Sequence, residues 1–140
     1  MFTRAMRWTY LVLAWIILAA VVAQVFLAGL GVFAGPSNFE THRLFGYMLS
    51  YVMLIAFIVA LAARLSRRLI ILAALLPILV FLQSVFILFR ENGQSALAAL
   101  HVVNALAIFA LSGYLALQSL RYVPAGASKS APSAATPEPS

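Results

Sequence analysis

Cysteine is absent from the 140 residues and acids nearly so, with three Asp+Glu against nine Lys+Arg. Without a thiol, disulfides, zinc–thiolate sites, iron–sulfur clusters, covalently attached c-type haem and thiol catalysis are excluded together. Charge of either sign is scarce: 9% of the residues are charged, where a soluble domain carries about 25%. Hydrophobic residues make up 65% and the mean hydropathy is +1.06. A chain this short has too little interior to hide so much apolar side chain from water. Lipid is therefore its solvent, which excludes a soluble enzyme or a secreted scaffold. The formal charge of +6 does not point to nucleic acid, because the cations sit between apolar runs and read as topology signals.

Four apolar runs stand out, at about residues 8–34, 44–63, 69–89 and 96–120. Each is near or above the roughly 20 residues that cross about 30 Å of hydrocarbon. The connections Gly35–Arg43, Arg64–Arg68 and Arg90–Ser95 are short, so sequential helices run antiparallel as neighbours. Strand-type alternation is missing, and lipid demands that every backbone group find an internal partner. The expected fold is all-α: an integral membrane antiparallel four-helix bundle over residues 1–122. After it, residues 123–140 change to Pro, Ala, Ser, Gly and Thr without periodicity and read as a disordered tail. The first run is too long for a secretory h-region of roughly 7–15 residues, so it is expected to be retained as a helix. A His near the start of helix two and another near the start of helix four suggest a weakly duplicated hairpin.

Arginine placement sets the orientation. Arg4, Arg7, Arg64, Arg67, Arg68, Arg121 and Lys129 fall on one side, and only Arg43 and Arg90 on the other, each with an acid close by in Glu40 and Glu91. The positive-inside rule places both termini in the cytoplasm, in a multi-pass protein of the cytoplasmic membrane.

Polar groups within membrane spans are expensive and hence informative. They are Gln24 on helix one, His42 and Ser50 on helix two, Gln83 and Ser84 on helix three, and His101, Asn104 and Ser112 on helix four. No carboxylate lies inside a span, which argues against a proton relay of the Asp/Glu kind, and no catalytic residue is assigned. Helices two and four both enter from the outer side and can face one another diagonally. His42 stands at the outer mouth of helix two. His101 lies about five residues into helix four, roughly 7–8 Å deeper at the usual rise, a gap within the uncertainty of the helix starts. Two imidazoles at similar depth on facing helices are what axial ligation of one haem iron needs. Gly46, one turn beyond His42, and Ala105, one turn beyond His101, would leave room for a macrocycle, although Leu97 is large. Arg43 or Arg90 could pair with a propionate. Asn104 or a backbone carbonyl could hold an imidazole N–H and fix its orientation.

The same residues have plainer readings. His42 can be an interfacial residue, His101 a buried histidine bonded to a carbonyl, and the small residues aids to close helix packing. Arg43 and Arg90 can be solvated partners of neighbouring acids. A cofactor-free structural or assembly subunit of a membrane complex is the competing function, and a quinone or lipid-substrate site at His101, Gln83 and Asn104 is a third.

The segments Glu40-Thr41-His42-Arg43-Leu44-Phe45-Gly46-Tyr47 and Leu100-His101-Val102-Val103-Asn104-Ala105 resemble one half of the haem A synthase family. Small four-helix bacterial membrane families of unknown function share that half's layout. In that family each half is a four-helix bundle, with a His-Arg pair opening its second helix and a His near the start of its fourth. The resemblance implies that His42 and His101 are the axial metal ligands of one b-type haem, serving electron transfer or haem handling. The synthase has two such halves and this chain has one, so synthase activity is not implied. A homodimer restoring eight helices, or a membrane redox partner, would be the partner besides the lipid bilayer.

Overall fold

The computed structural model describes residues 1–123, less the side chains of residues 90 and 91. The tail expected to be disordered lies, from residue 124 on, outside the described residues, as does Lys129. The helices are α1 (Phe2–Phe33), α2 (Phe39–Ala62), α3 (Arg67–Glu91), a single-turn α4 (Ser95–Ala98) and α5 (Leu100–Ser119), and the described residues contain no strand. Four spans, Phe2–Phe33, Pro36–Ala62, Arg67–Phe89 and Ser95–Tyr122, are long and apolar enough to cross a membrane. The protein is thus an all-α, multi-pass membrane protein. Neighbouring helices are α1–α2, α2–α3, α3–α5 and α5–α1, which makes an up-down-up-down ring with α2 facing α5 and α1 facing α3 across the diagonals.

The helices begin earlier than the apolar runs. Helix α2 starts at Phe39 rather than near Leu44, because Glu40 and Arg43 sit three apart on its first turn and pair there. Each turn has a local cause. Gly35, at φ 124°, breaks α1, and Pro36 opens a short 3-10 turn in which the Asn38 amide donates to the Gly35 carbonyl over 3.1 Å. Gly93, at φ 77°, ends α3, with the Gln94 N–H returning to the Phe89 carbonyl over 2.8 Å, the six-to-one closure that a left-handed glycine permits. Arg64 takes the same left-handed role after α2 at φ 50°, which costs about 1–2 kcal/mol for a residue with a Cβ.

The interior mixes small and partly polar residues with larger ones such as Tyr10, Ile17, Met53 and Leu115, and the exterior is large and apolar. Ala14, Ala56, Ala60, Ala63, Ala73, Ala116, Ser112 and Ser119 are buried, whereas Phe26, Phe33, Met48, Phe81 and Leu106 are each more than 60% exposed. The buried alanines and serines let the helices pack closely, with lipid against the exposed large residues.

The two hairpins repeat in register. His101 follows His42 by 59 residues, and Gln83 follows Gln24 by the same 59. The core obeys this offset as well: Tyr10 and Leu69, Ala14 and Ala73, Ile17 and Leu76, Leu49 and Ile108, and Ala60 and Ser119 are all buried. Both hairpins start at the arginine-rich end, so they are parallel repeats about an approximate two-fold along the bundle axis.

Candidate functional site: two imidazoles across the bundle

The site lies at the end away from the arginine cluster. His42 stands six residues after the start of the Pro36–Ala62 span and His101 six after the start of the Ser95–Tyr122 span. The two are therefore at matching depth, on helices that face across a diagonal. Their ring centroids are 6.3 Å apart, with planes inclined at 57°.

Each imidazole is held by the preceding helix of its own hairpin. His42 Nδ1 donates to the Gln24 carbonyl over 3.1 Å, and His101 Nδ1 donates to the Gln83 carbonyl over 3.2 Å. A carbonyl oxygen only accepts, so each bond puts the proton on Nδ1 and leaves Nε2 with a lone pair in the neutral ring. The partner sits 18 residues upstream in both hairpins.

Around this shared pattern the two halves differ. The Gln24 amide also donates to the His42 carbonyl over 2.9 Å, so Gln24 and His42 are tied twice. Gly46 makes that possible: a Cβ there would lie 2.6 Å from Gln24 Nε2. The space beside Gly46 is thus taken by Gln24, while the Gln24 Oε1 is buried without a hydrogen-bond partner. In the second half, Asn104 is buried and donates to the Leu79 carbonyl (2.7 Å) and to Gln83 Oε1 (2.9 Å). It anchors the glutamine whose backbone holds His101 and does not touch the imidazole through a hydrogen bond of its own. Ala105, the counterpart of Gly46, is half-buried.

Phe39 meets His42 edge-on, with centroids 6.4 Å apart at 85°. Its ring lies against Gly31, where a Cβ would come within 2.6 Å of it. Arg43 is exposed and paired with Glu40. Arg90 closes the same end at the last turn of α3, and its side chain lies outside the described residues. Ser50 donates to the Tyr47 carbonyl of its own helix, over 2.6 Å. Among the described residues no group of three or more His, Cys, Asp or Glu gathers to hold a metal ion.

The structure thus brings His42, His101, Gln24, Gln83 and Asn104 to one end of the bundle. The role of the two glutamine carbonyls is invisible to side-chain reasoning, because any residue offers a carbonyl. The equal spacing of 18 from Gln to His was the available signal.

Residues 24–89 match the model of a family of unknown function (DUF6220). The matched segment opens at Gln24 and takes in His42 and Gln83, but ends before α4 and α5 and so leaves out His101 and Asn104. No curated protein and no solved structure matches the chain. The likeness to haem A synthase accordingly rests on the two histidine segments alone.

Proposed function

We propose that this membrane protein holds one b-type haem between His42 and His101, for single-electron transfer or for handling haem. The observation that carries the reading is the spacing of the two rings. A metal–imidazole bond is about 2.0–2.1 Å and its nitrogen stands about 1.1 Å from the ring centre, so two imidazoles sharing one iron hold their centres about 6.3 Å apart. The rings here are 6.3 Å apart. The chemistry of the donors fits as well: each Nδ1–carbonyl bond leaves an Nε2 lone pair, and two such imidazoles would suit a metal that brings its remaining ligands with it. His42 and His101 would be the axial ligands, with the Gln24 and Gln83 carbonyls fixing the tautomer and the ring orientation and raising ligand basicity. Haem, when bound, supplies reversible one-electron chemistry at iron. Asn104 acts one step back, by fixing Gln83.

With the arginine-rich end in the cytoplasm, this site faces the outer side of the membrane, where a redox partner or a second copy of the chain would meet it. Arg43, exposed at that rim, would be available to a propionate once released from Glu40, and Arg90 stands on the same side.

The experiment is the visible spectrum of detergent-purified protein. A sharp Soret band and a reduced α-band are expected, and both vanish in His42→Ala and in His101→Ala. A spectrum that survives either substitution refutes ligation by both imidazoles. The two Nδ1–carbonyl bonds also support a second reading, in which the histidines only tie the hairpins together in a cofactor-free structural subunit. Under that reading the protein stays colourless with excess haem, and each substitution costs about 1 kcal/mol of stability, the worth of one hydrogen bond.

A further inference from the structure

At the opposite end, a groove between the start of α3 and the end of α5 is lined by Ser66, Arg68, Leu69, Tyr114, Gln118, Arg121 and Tyr122. Four of its members are already set in place. The Arg68 guanidinium lies 5.7 Å over the Tyr114 ring, and the Tyr122 hydroxyl accepts from the Ser66 N–H over 3.2 Å. Arg7 lies 5.6 Å over the other ring, that of Tyr122. Arg68 and Arg121 are exposed. No carboxylate stands at this end among the described residues, since Glu40 and Glu91 both lie at the far one.

The internal repeat supplies a control for what the fold itself needs here. Shifted by 59 residues, the positions of Arg68, Tyr114, Gln118 and Arg121 are those of Thr9, Ile55, Val59 and Ala62 in the first hairpin. In the first hairpin three of these four positions are apolar and none is charged, and even the closing contact has its counterpart, Arg7 Nε donating to the Ala63 carbonyl over 3.3 Å. Two arginines, a glutamine and a tyrosine are therefore not demanded by the packing of a hairpin end. They are specific to the second half, and they converge on a groove at the level where spans begin and end.

We propose that this groove binds the phosphate headgroup of an anionic phospholipid, with Arg68 and Arg121 taking the phosphate and Gln118 hydrogen-bonding the rest of the headgroup. Planar guanidinium groups match phosphate oxygens, and basic pockets between spans at the cytoplasmic side suit anionic lipid headgroups. A membrane lipid rather than a soluble phosphate is favoured because Leu117 and Leu120 stand exposed beside the groove, 60% and 51% respectively, and continue the lipid-facing surface on which an acyl chain can lie.

The test is native mass spectrometry of the full chain in dodecyl maltoside, a neutral detergent that contributes no surface potential. Dioleoylphosphatidylglycerol is titrated against dioleoylphosphatidylcholine, with glycerol 3-phosphate and inorganic phosphate as soluble arms. One phosphatidylglycerol is expected to be retained at least tenfold more tightly than phosphatidylcholine. Arg68→Gln/Arg121→Gln lowers that affinity about 30-fold, while Arg4→Gln/Arg67→Gln, an equal loss of charge on the same end, lowers it less than threefold. Gln118→Leu, which keeps every charge, lowers it about threefold and serves if the double variant loses helicity. Equal loss in the two double variants, or equal retention of the two lipids, overturns the site. Displacement of the lipid by millimolar glycerol 3-phosphate overturns the assignment to a membrane lipid.

Discussion

Gly31→Ala tests the packing that holds the His42 hairpin closed. Gly31 is buried near the end of α1, and a Cβ there would lie 2.6 Å from Cδ1 and Cε1 and 2.7 Å from Cγ of Phe39. Ordinary carbon contacts are about 3.5–4.0 Å, so the overlap is about 1 Å against three atoms of a rigid ring. Phe39 is the first residue of α2, and its ring cannot yield without moving the edge that meets His42. Overpacking of this kind costs about 1–3 kcal/mol. Alanine in place of glycine in a helix interior returns about 0.8–1.0 kcal/mol, so the net loss is about 0–2 kcal/mol. The assay is reversible unfolding in dodecyl maltoside titrated with SDS, followed by far-UV circular dichroism. The decisive arm is the Phe39→Ala background, where the clash is gone and only the helix term remains. There Gly31→Ala should stabilise by about 0.5–1 kcal/mol. The same destabilisation in both backgrounds would show that the ring is not what Gly31 makes room for.

Gly46→Ala should be much milder despite an equal 2.6 Å approach, because the obstacle is the tip of the flexible Gln24 side chain. The expected cost in the same unfolding assay is about 0.5–1.5 kcal/mol, one amide–carbonyl bond, with the Nδ1 bond of His42 to the Gln24 backbone left intact. Asn104→Leu should cost more, about 1–3 kcal/mol, because Gln83 Oε1 and the Leu79 carbonyl both lose the buried Asn104 amide as donor; by thermal melting it should be the least stable of these variants. The absence of cysteine makes orientation directly measurable: Ser37→Cys and Asn92→Cys should react with an impermeant maleimide on intact cells, and Ser66→Cys only after permeabilisation. The reverse pattern would invert the topology.

Four spans were legible because lipid imposes length and apolarity on each of them, and nothing else in a chain this poor in charge competes with that signal. Helix starts were less so. Glu40, Thr41 and Arg43 look like a loop by polarity, yet a helix tolerates them at its outer turn, where Glu40 and Arg43 fall three apart and pair. By sequence His101 lay about five residues into its helix and His42 at the mouth of its own, depths that were only compatible; the early start of the second span at Pro36 makes them equal, and what fixes their rings was not legible at all. The partners are backbone carbonyls of Gln24 and Gln83, and a sequence does not say which carbonyl an imidazole will find. Gly46 illustrates the limit from the other side. Its smallness was visible, but whether a macrocycle or a neighbouring amide uses the space depends on where Gln24 points, which only the packing of α1 on α2 decides.

The repeated hairpin is close to self-sufficient. One unit of about 59 residues already contains an up-going helix, a down-going helix and an imidazole pinned to its own backbone, and it lacks only a mate. Two identical copies meeting side by side would generate the same ring of four and set their histidines face to face by symmetry alone. In a single polypeptide the two halves need not be identical, and in this chain they differ at both ends. Near the imidazoles, Phe45 occupies the position equivalent to Asn104, and at the arginine-rich end Thr9, Ile55, Val59 and Ala62 stand where the second half carries Arg68, Tyr114, Gln118 and Arg121.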